Sequence, residues 1–182
     1  KEGMTALGLT DAGNMHGAIE LYKKAKDNDI HAVLGVDAYL AHGSRHDRED
    51  AGKRSRIVLL AENNAGYQNL LKLITLSFTE GFFERPLMDR EILRTHSEGL
   101  IALLPSFASD VGQLLAAGND EAAAATLAEY QSIFGKDNLF LEVTHHPKVP
   151  GHTDKMRKVK ALGKESGVPV VAQHDVYYLA PD

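Results

Sequence analysis

Short apolar runs alternate along the chain with stretches whose apolar positions recur every three or four residues. The first run, residues 4–9, stops at Thr10-Asp11 and predicts a buried strand ending in a loop. From Met15 the spacing turns helical, with Met15, Ile19, Tyr22 and Ala25 on one face and Lys23, Lys24 and Lys26 outward. A second apolar run covers His31–Ala41, and the polar stretch 42–56 after it reads as an exposed loop. Residues 57–61 (IVLLA) form the next run, followed by a helix over 67–78 that Asn63 or Asn64 is placed to cap.

Asp89 is placed to cap a short helix through Arg94, and Gly99 opens the run Leu100–Leu104. Two helices are predicted next, over 109–117 and Asp120–Phe134. The second has acids in its first turn and Gly135 just past its end. Residues 139–144 (LFLEVT) read as strand. Met156, Val159 and Leu162 mark the apolar face of a helix stopping near Gly167, and 168–172 (VPVVA) is the last strand. Five strands, each followed by at least one helix where chain remains, argue for a parallel sheet covered by helices, open or closed into a barrel. The pattern predicts one α/β domain.

Composition narrows the chemistry. The 182 residues contain no cysteine, which excludes a disulfide scaffold, thiolate metal sites and a cysteine nucleophile. No apolar stretch approaches the ~18 residues of a membrane span, and residues 1–11 do not resemble a signal peptide. A cytoplasmic protein is expected. With 25 acids against 20 bases the net charge is −5, and no basic stripe favours strong direct binding to nucleic acid.

In parallel α/β folds ligands bind at the carboxyl ends of the strands. Those ends carry Thr10-Asp11, Pro105-Ser106, His145-His146 and His174-Asp175, with Asp37 inside the second run. Neighbours on a strand point to opposite faces, so His145 and His146 cannot both hold one ion from regular geometry. With His152 they suggest a histidine-rich loop. His16, His31, His42, His46 and His96 lack a carboxylate at useful spacing and read as solvated. No GxSxG, HExxH, Walker A or GxGxxG motif is present.

The segments LGLTDAGNMHGAIELYKKAK, AVLGVDAYLA, IVLLAENNAGYQNLLKLITLSF, EGFFERPLMDREIL, HSEGLIAL and FLEV…GVPVVAQHDVYYL, taken in order, resemble a known family. It is the PHP (polymerase and histidinol phosphatase) domain that opens the bacterial DNA polymerase III alpha subunit. The resemblance runs nearly end to end, so residues 1–182 are expected to be one PHP domain at the N-terminal part of a larger polymerase chain. It implies a distorted seven-stranded β/α barrel. In active members, His and carboxylate ligands at the strand ends hold three divalent ions for phosphoester hydrolysis.

Against that pattern this chain is depleted. The family's first strand, with its His-x-His motif, is absent, and an unpaired strand edge is expected in its place. Thr-Asp-His-Gly-Asn becomes Thr10-Asp11-Ala12-Gly13-Asn14. Asp37 stands in the GxE block, Arg56 replaces the His before the LLA strand, and Ser106 replaces a Cys or His. In the final Asp-x-His motif Asp175 remains and Tyr177 replaces the His. Arg56 cannot ligate a metal, but its charge can substitute for one by pairing with Asp37 or Asp175.

The resemblance therefore implies a metal-depleted structural and docking module with no catalytic residue of its own and no cofactor. Asp37, His146, His174 and Asp175 are the weak metal candidates. The implied partners are the rest of the alpha subunit and the proofreading exonuclease subunit. The alternative is an active metal-dependent phosphoesterase, a 3′–5′ exonuclease or pyrophosphatase, in which His146 or His174 substitutes for lost ligands. A third reading keeps a phosphate-binding pocket on Arg56, Lys53 and Arg54, against the plainer reading of a solvated loop beside Asp47, Glu49 and Asp50.

Overall fold

The computed structural model describes residues 3–47 and 54–174. Eight strands and six helices follow in the order β1 (Ala6–Ala12), α1 (Ala18–Lys26), β2 (His31–Ala41), β3 (Arg54–Ala61), α2 (Asn64–Thr79), β4 (Phe82–Phe83), β5 (Arg85–Met88), α3 (Arg90–Thr95), β6 (Leu100–Leu104), α4 (Asp110–Ala116), α5 (Asp120–Phe134), β7 (Leu139–Val143), α6 (His152–Ser166) and β8 (Val170–Ala172). They build one curled α/β sheet, part of a barrel wall. β2 takes β1 and then β5 along one edge and β3 along the other, and β6, β7 and β8 continue beyond β3. Among the described residues, the outer edges of β1 and β8 pair with no further strand.

The sheet is mixed, where an all-parallel one was expected. β3 runs antiparallel to both β2 and β6, while β1, β5, β6, β7 and β8 share the direction of β2. The physical reason is the connection. Among the described residues no helix lies between β2 and β3, and a strand that returns without a crossover helix must come back antiparallel. β3 also begins at Arg54, so the last three residues of the stretch read as loop are strand.

Alternation along the strands separates two faces. Val36, Ala38, Leu40, Ile57, Leu59, Leu100, Ala102, Leu104, Leu139 and Leu141 point outward into one core under the helices. Their alternates, including Asp37, Val58, Leu103 and Glu142, face the concave side. Helix ends follow their caps: Asn63 accepts from Gly66 N, Asp89 from Ile92 N, Ser109 from Gly112 N and Asn119 from Ala122 N. Gly135 follows α5 at φ 78°. On α6 the expected face is buried through Met156, Val159 and Leu162.

Three local expectations fail. β1 continues through Thr10-Asp11 to Ala12, because both residues pair with β2 in regular register. On α1 the buried residues are Ala18 and Ala25, while Ile19 and Tyr22 are about half exposed. Small residues let the helix approach the sheet closely and leave the larger ones outside. The 82–88 segment, where the apolar pattern predicts no element, forms a short hairpin of β4 and β5, turned at Glu84 with φ 58°.

Candidate functional site

The concave face holds a cleft of about 730 Å³ at one rim of the sheet. Its position follows from topology. β1, β2, β6, β7 and β8 bring their carboxyl ends to this rim, and the antiparallel β3 brings its amino end, Arg54–Arg56. Strand-end residues far apart in sequence thus converge.

Asp37 and Arg56 form the centre. In the β2–β3 register Asp37 opposes Val58 and Tyr39 opposes Arg56, so Arg56 is the diagonal neighbour of Asp37 on the same face. Arg56 Nε donates to Asp37 Oδ1 at 2.7 Å and its Nη2 to Asp37 Oδ2. Both side chains are about a quarter to a third exposed. The fork matches the carboxylate at two points, the geometry in which arginine binds anions best. Backbone fixes the rest: Arg56 N donates to Ala108 O, and Gly13 N donates to Asp37 O.

The other expected residues divide. Asp11 lines the cleft, and its carboxylate accepts from Gly17 N at 3.4 Å at the start of α1. Ala12 lines the cleft and brings no donor atom. Ser106 is 2% exposed and outside the lining, where its neighbours Pro105 and Phe107 are instead. Its hydroxyl makes no hydrogen bond among the described residues. Asp175, Tyr177, Lys53, Glu49 and Asp50 lie outside the described residues.

The histidines are less scattered than expected. His146 lines the main cleft while His145 lines a separate hollow, on opposite sides as their adjacency requires. His146 stands 5.0 Å from the His174 ring and 5.3 Å, edge-on, from that of His152. His152 is not in a loop. It begins α6, is 3% exposed, stacks on Phe107 and shares a 2.9 Å hydrogen bond with Thr144 Oγ1. Of the histidines read as solvated, His96 is only partly exposed, and burial with nearby Lys72 lowers its pKa.

Burial, then the proximity of His146, His145 and Lys155, lowers the His152 pKa below 6.5. The unfolded chain therefore takes up a proton at this residue at a pH where the folded chain does not. His152 contributes stability that is full above about pH 6.5 and is lost as pH falls below it. Wild-type protein is expected to lose more melting temperature between pH 7.5 and 5.5 than His152→Gln. Equal losses in paired thermal melts contradict the assignment.

Glu142 was not anticipated. It is 8% exposed and faces the cleft from inside the apolar run LFLEV, where a lone acid in a strand is itself the signal. Tyr39 was also missed. The guanidinium carbons of Arg56, Arg85 and Arg54 lie 5.1, 5.6 and 5.9 Å from its ring centre.

A three-ion centre of the family kind does not fit the described part of this donor set. Ala12 offers nothing, Ser106 is outside the lining, and both Asp37 oxygens are engaged by Arg56. Among the described residues no three His or carboxylate side chains converge closely enough to share an ion. No helix of the described residues is long and apolar enough to cross a membrane.

Comparison with known proteins gives a consistent picture. The PHP domain family model matches residues 1–146. DNA polymerase III subunit alpha of Thermus aquaticus is 38% identical over 178 residues, covering 96% of this chain and 14% of that protein. The Deinococcus radiodurans subunit is 38% identical, covering 98% of this chain and 14% of that protein; the Borreliella burgdorferi subunit is 37% identical, covering 97% and 15%. The chain thus spans about one seventh of the length of these relatives. Two solved structures share the fold. One is described as a metal-dependent phosphoesterase from Bifidobacterium adolescentis (TM-score 0.58, 9% identity, covering 93% of this chain and 76% of that one). The other is an amidohydrolase from Chromobacterium violaceum (TM-score 0.58, 14% identity, covering 94% and 76%).

Proposed function

The chain belongs to the PHP domain family, and from that premise we propose that it is the PHP domain of a bacterial DNA polymerase III alpha subunit. In this reading residues 1–182 are one domain in the N-terminal part of a cytoplasmic replicative polymerase. The domain is a metal-depleted structural and docking module that supports the rest of the alpha subunit and contacts the proofreading exonuclease subunit. Nucleotidyl transfer belongs to the parent chain outside these residues. The reading draws on relatives that are alpha subunits and are matched along nearly this whole chain.

One observation carries the metal-depleted part: the two-point pair between Arg56 and Asp37. Where active members gather cations around carboxylates, this chain supplies a fixed cation of its own. A guanidinium neutralises Asp37 and ties β2 to β3, yet it holds no water for attack on phosphorus. The vestigial site in this reading comprises Asp11, Ala12, Asp37, Arg56, Ser106, Asp175 and Tyr177. The proximity of His146 to His174 in the same cleft is what favours the alternative, a metal-dependent phosphoesterase.

Hydrolysis assays separate the two. With Mn²⁺ or Zn²⁺ and an aryl phosphodiester, the purified protein is expected to give no turnover above the EDTA control. Metal-dependent turnover abolished by His146→Ala sinks the docking-module reading. Arg56→Ala is expected to destabilise the fold by about 1–2 kcal/mol, the value of hydrogen bonds to a charged partner reduced for partial exposure. Urea unfolding measures it, and an unchanged midpoint contradicts a structural role for the pair.

A further inference from the structure

Three arginines surround one tyrosine at the rim of the cleft, and sheet geometry explains why. Arg54 and Arg56 are two apart on β3 and share a face. Tyr39 opposes Arg56 across the antiparallel pair and Leu87 across the parallel one. Arg85, two residues before Leu87 on β5, falls on the Tyr39 side of the sheet and reaches the same ring. Gly13, at φ 71°, packs against Tyr39 so closely that an added Cβ would sit 3.2 Å from the ring, which holds the platform in place.

Among the described residues the charges around this ring do not balance. Arg56 is satisfied by Asp37. Neither Arg54 nor Arg85 has a carboxylate partner among the described residues. Tyr39 attracts each cation only weakly through its ring face, while like charges held around one ring repel. In a chain of net charge −5, this gathering of fixed cations is complementary to a compact, multiply charged anion. Guanidinium groups already held beside one ring lose little further freedom on binding, and their paired N–H groups match phosphoryl oxygens.

We propose that Arg54 and Arg85, held around Tyr39 beside the Arg56–Asp37 pair, form a binding site for a phosphoryl oxyanion. The anion is either free pyrophosphate or the terminal phosphate of a nucleic acid strand. This goes beyond the docking-module reading and requires no metal.

The test is calorimetric titration of the purified protein in EDTA and low chloride, with inorganic pyrophosphate in one arm. The second arm compares a 5′-phosphorylated deoxyoligonucleotide with its 5′-hydroxyl counterpart. Binding of pyrophosphate alone identifies a free anion. Preference for the phosphorylated oligonucleotide over the hydroxyl form by about tenfold or more identifies a strand end. In either case Arg54→Gln/Arg85→Gln is expected to weaken binding at least about tenfold. Arg85→Gln alone, at an exposed side chain, keeps the test valid should the double variant misfold, and it should weaken binding by about threefold or more. Arg157→Gln, remote on α6, is expected to change nothing. No binding by wild type in either arm, or unchanged affinity in the arginine variants, overturns the site. Because EDTA is present, such a failure leaves the metal-depleted reading standing, and metal found in the protein leaves the anion site standing.

Discussion

Arg45→Ala is expected to destabilise the protein by about 3–5 kcal/mol, the usual loss when one partner of a buried pair is removed. The residue lies in the polar stretch after β2 that composition marks as exposed loop, yet its side chain is only 8% exposed. Its Nη1 donates to both oxygens of Asp89 at 3.0 and 3.2 Å, and its backbone N donates to Asp89 Oδ2 at 2.9 Å. Nε and Nη2 donate to Glu80 at 2.9 and 2.6 Å. One guanidinium therefore joins the end of α2 to the cap of α3. Burial works against its charge, but Glu80 and Asp89 outweigh that and leave its pKa above the usual arginine value.

Asp89 makes the loss large. It is 2% exposed and also caps α3, so without Arg45 a buried carboxylate keeps its helix bond and loses its counter-charge. Glu91, 75% exposed, adds little. Urea unfolding measures the effect, with a fall of roughly 10 °C in Tm as its thermal counterpart. In a double-mutant cycle, Arg45→Ala with Asp89→Asn should cost clearly less than the two single changes added. A single-variant loss below about 1 kcal/mol contradicts the network.

Gly66→Ala is expected to cost about 3 kcal/mol, the upper part of the usual overpacking range. A Cβ on Gly66 would lie 1.8 Å from the Gly99 carbonyl oxygen and 2.6 Å from its carbon. That carbonyl already accepts from Glu62 N at 2.9 Å, and Gly66 N itself donates to the Asn63 cap at 3.0 Å. Making room would part the first turn of α2 from the turn before β6. Gly43→Ala is the matched control, since nothing lies within 4 Å of its added Cβ; it should stay within about 0.5 kcal/mol of wild type. Equal stability of the two variants contradicts the close approach.

Legibility in the sequence followed the range of the forces involved. His31–Ala41, Leu100–Leu104 and Asp120–Phe134 carry long runs or sustained periodicity, and their elements have those bounds. The cap Asp89, and Asn63 offered beside Asn64, were legible too, because capping is a contact across three residues. Strand direction was not: IVLLA reads alike in either sense, and only pairing with β2 and β6 makes β3 antiparallel. β4 and β5 are too short for a period to register.

The site divides in the same way. Asp37 and Arg56 were singled out from the family motif, and their contact follows from a register that the residues alone do not fix. Arg85 and Tyr39 belong to separate segments that meet only through the β2–β5 pairing. Arg45 has the composition of a loop and the environment of a core, since its partners Glu80 and Asp89 stand 35 and 44 residues away.

The central claim is that a guanidinium has taken the place of the family's metal ions. Elemental mass spectrometry of the purified protein, after dialysis without chelator, tests it most directly. Less than about a tenth of an equivalent of zinc, manganese and iron together is the predicted result, since sites with a full ligand set retain their ions through such treatment. One or more tightly held equivalents, reduced by His146→Ala or Asp37→Asn, would mean that the cleft has kept a metal centre, and would contradict the account.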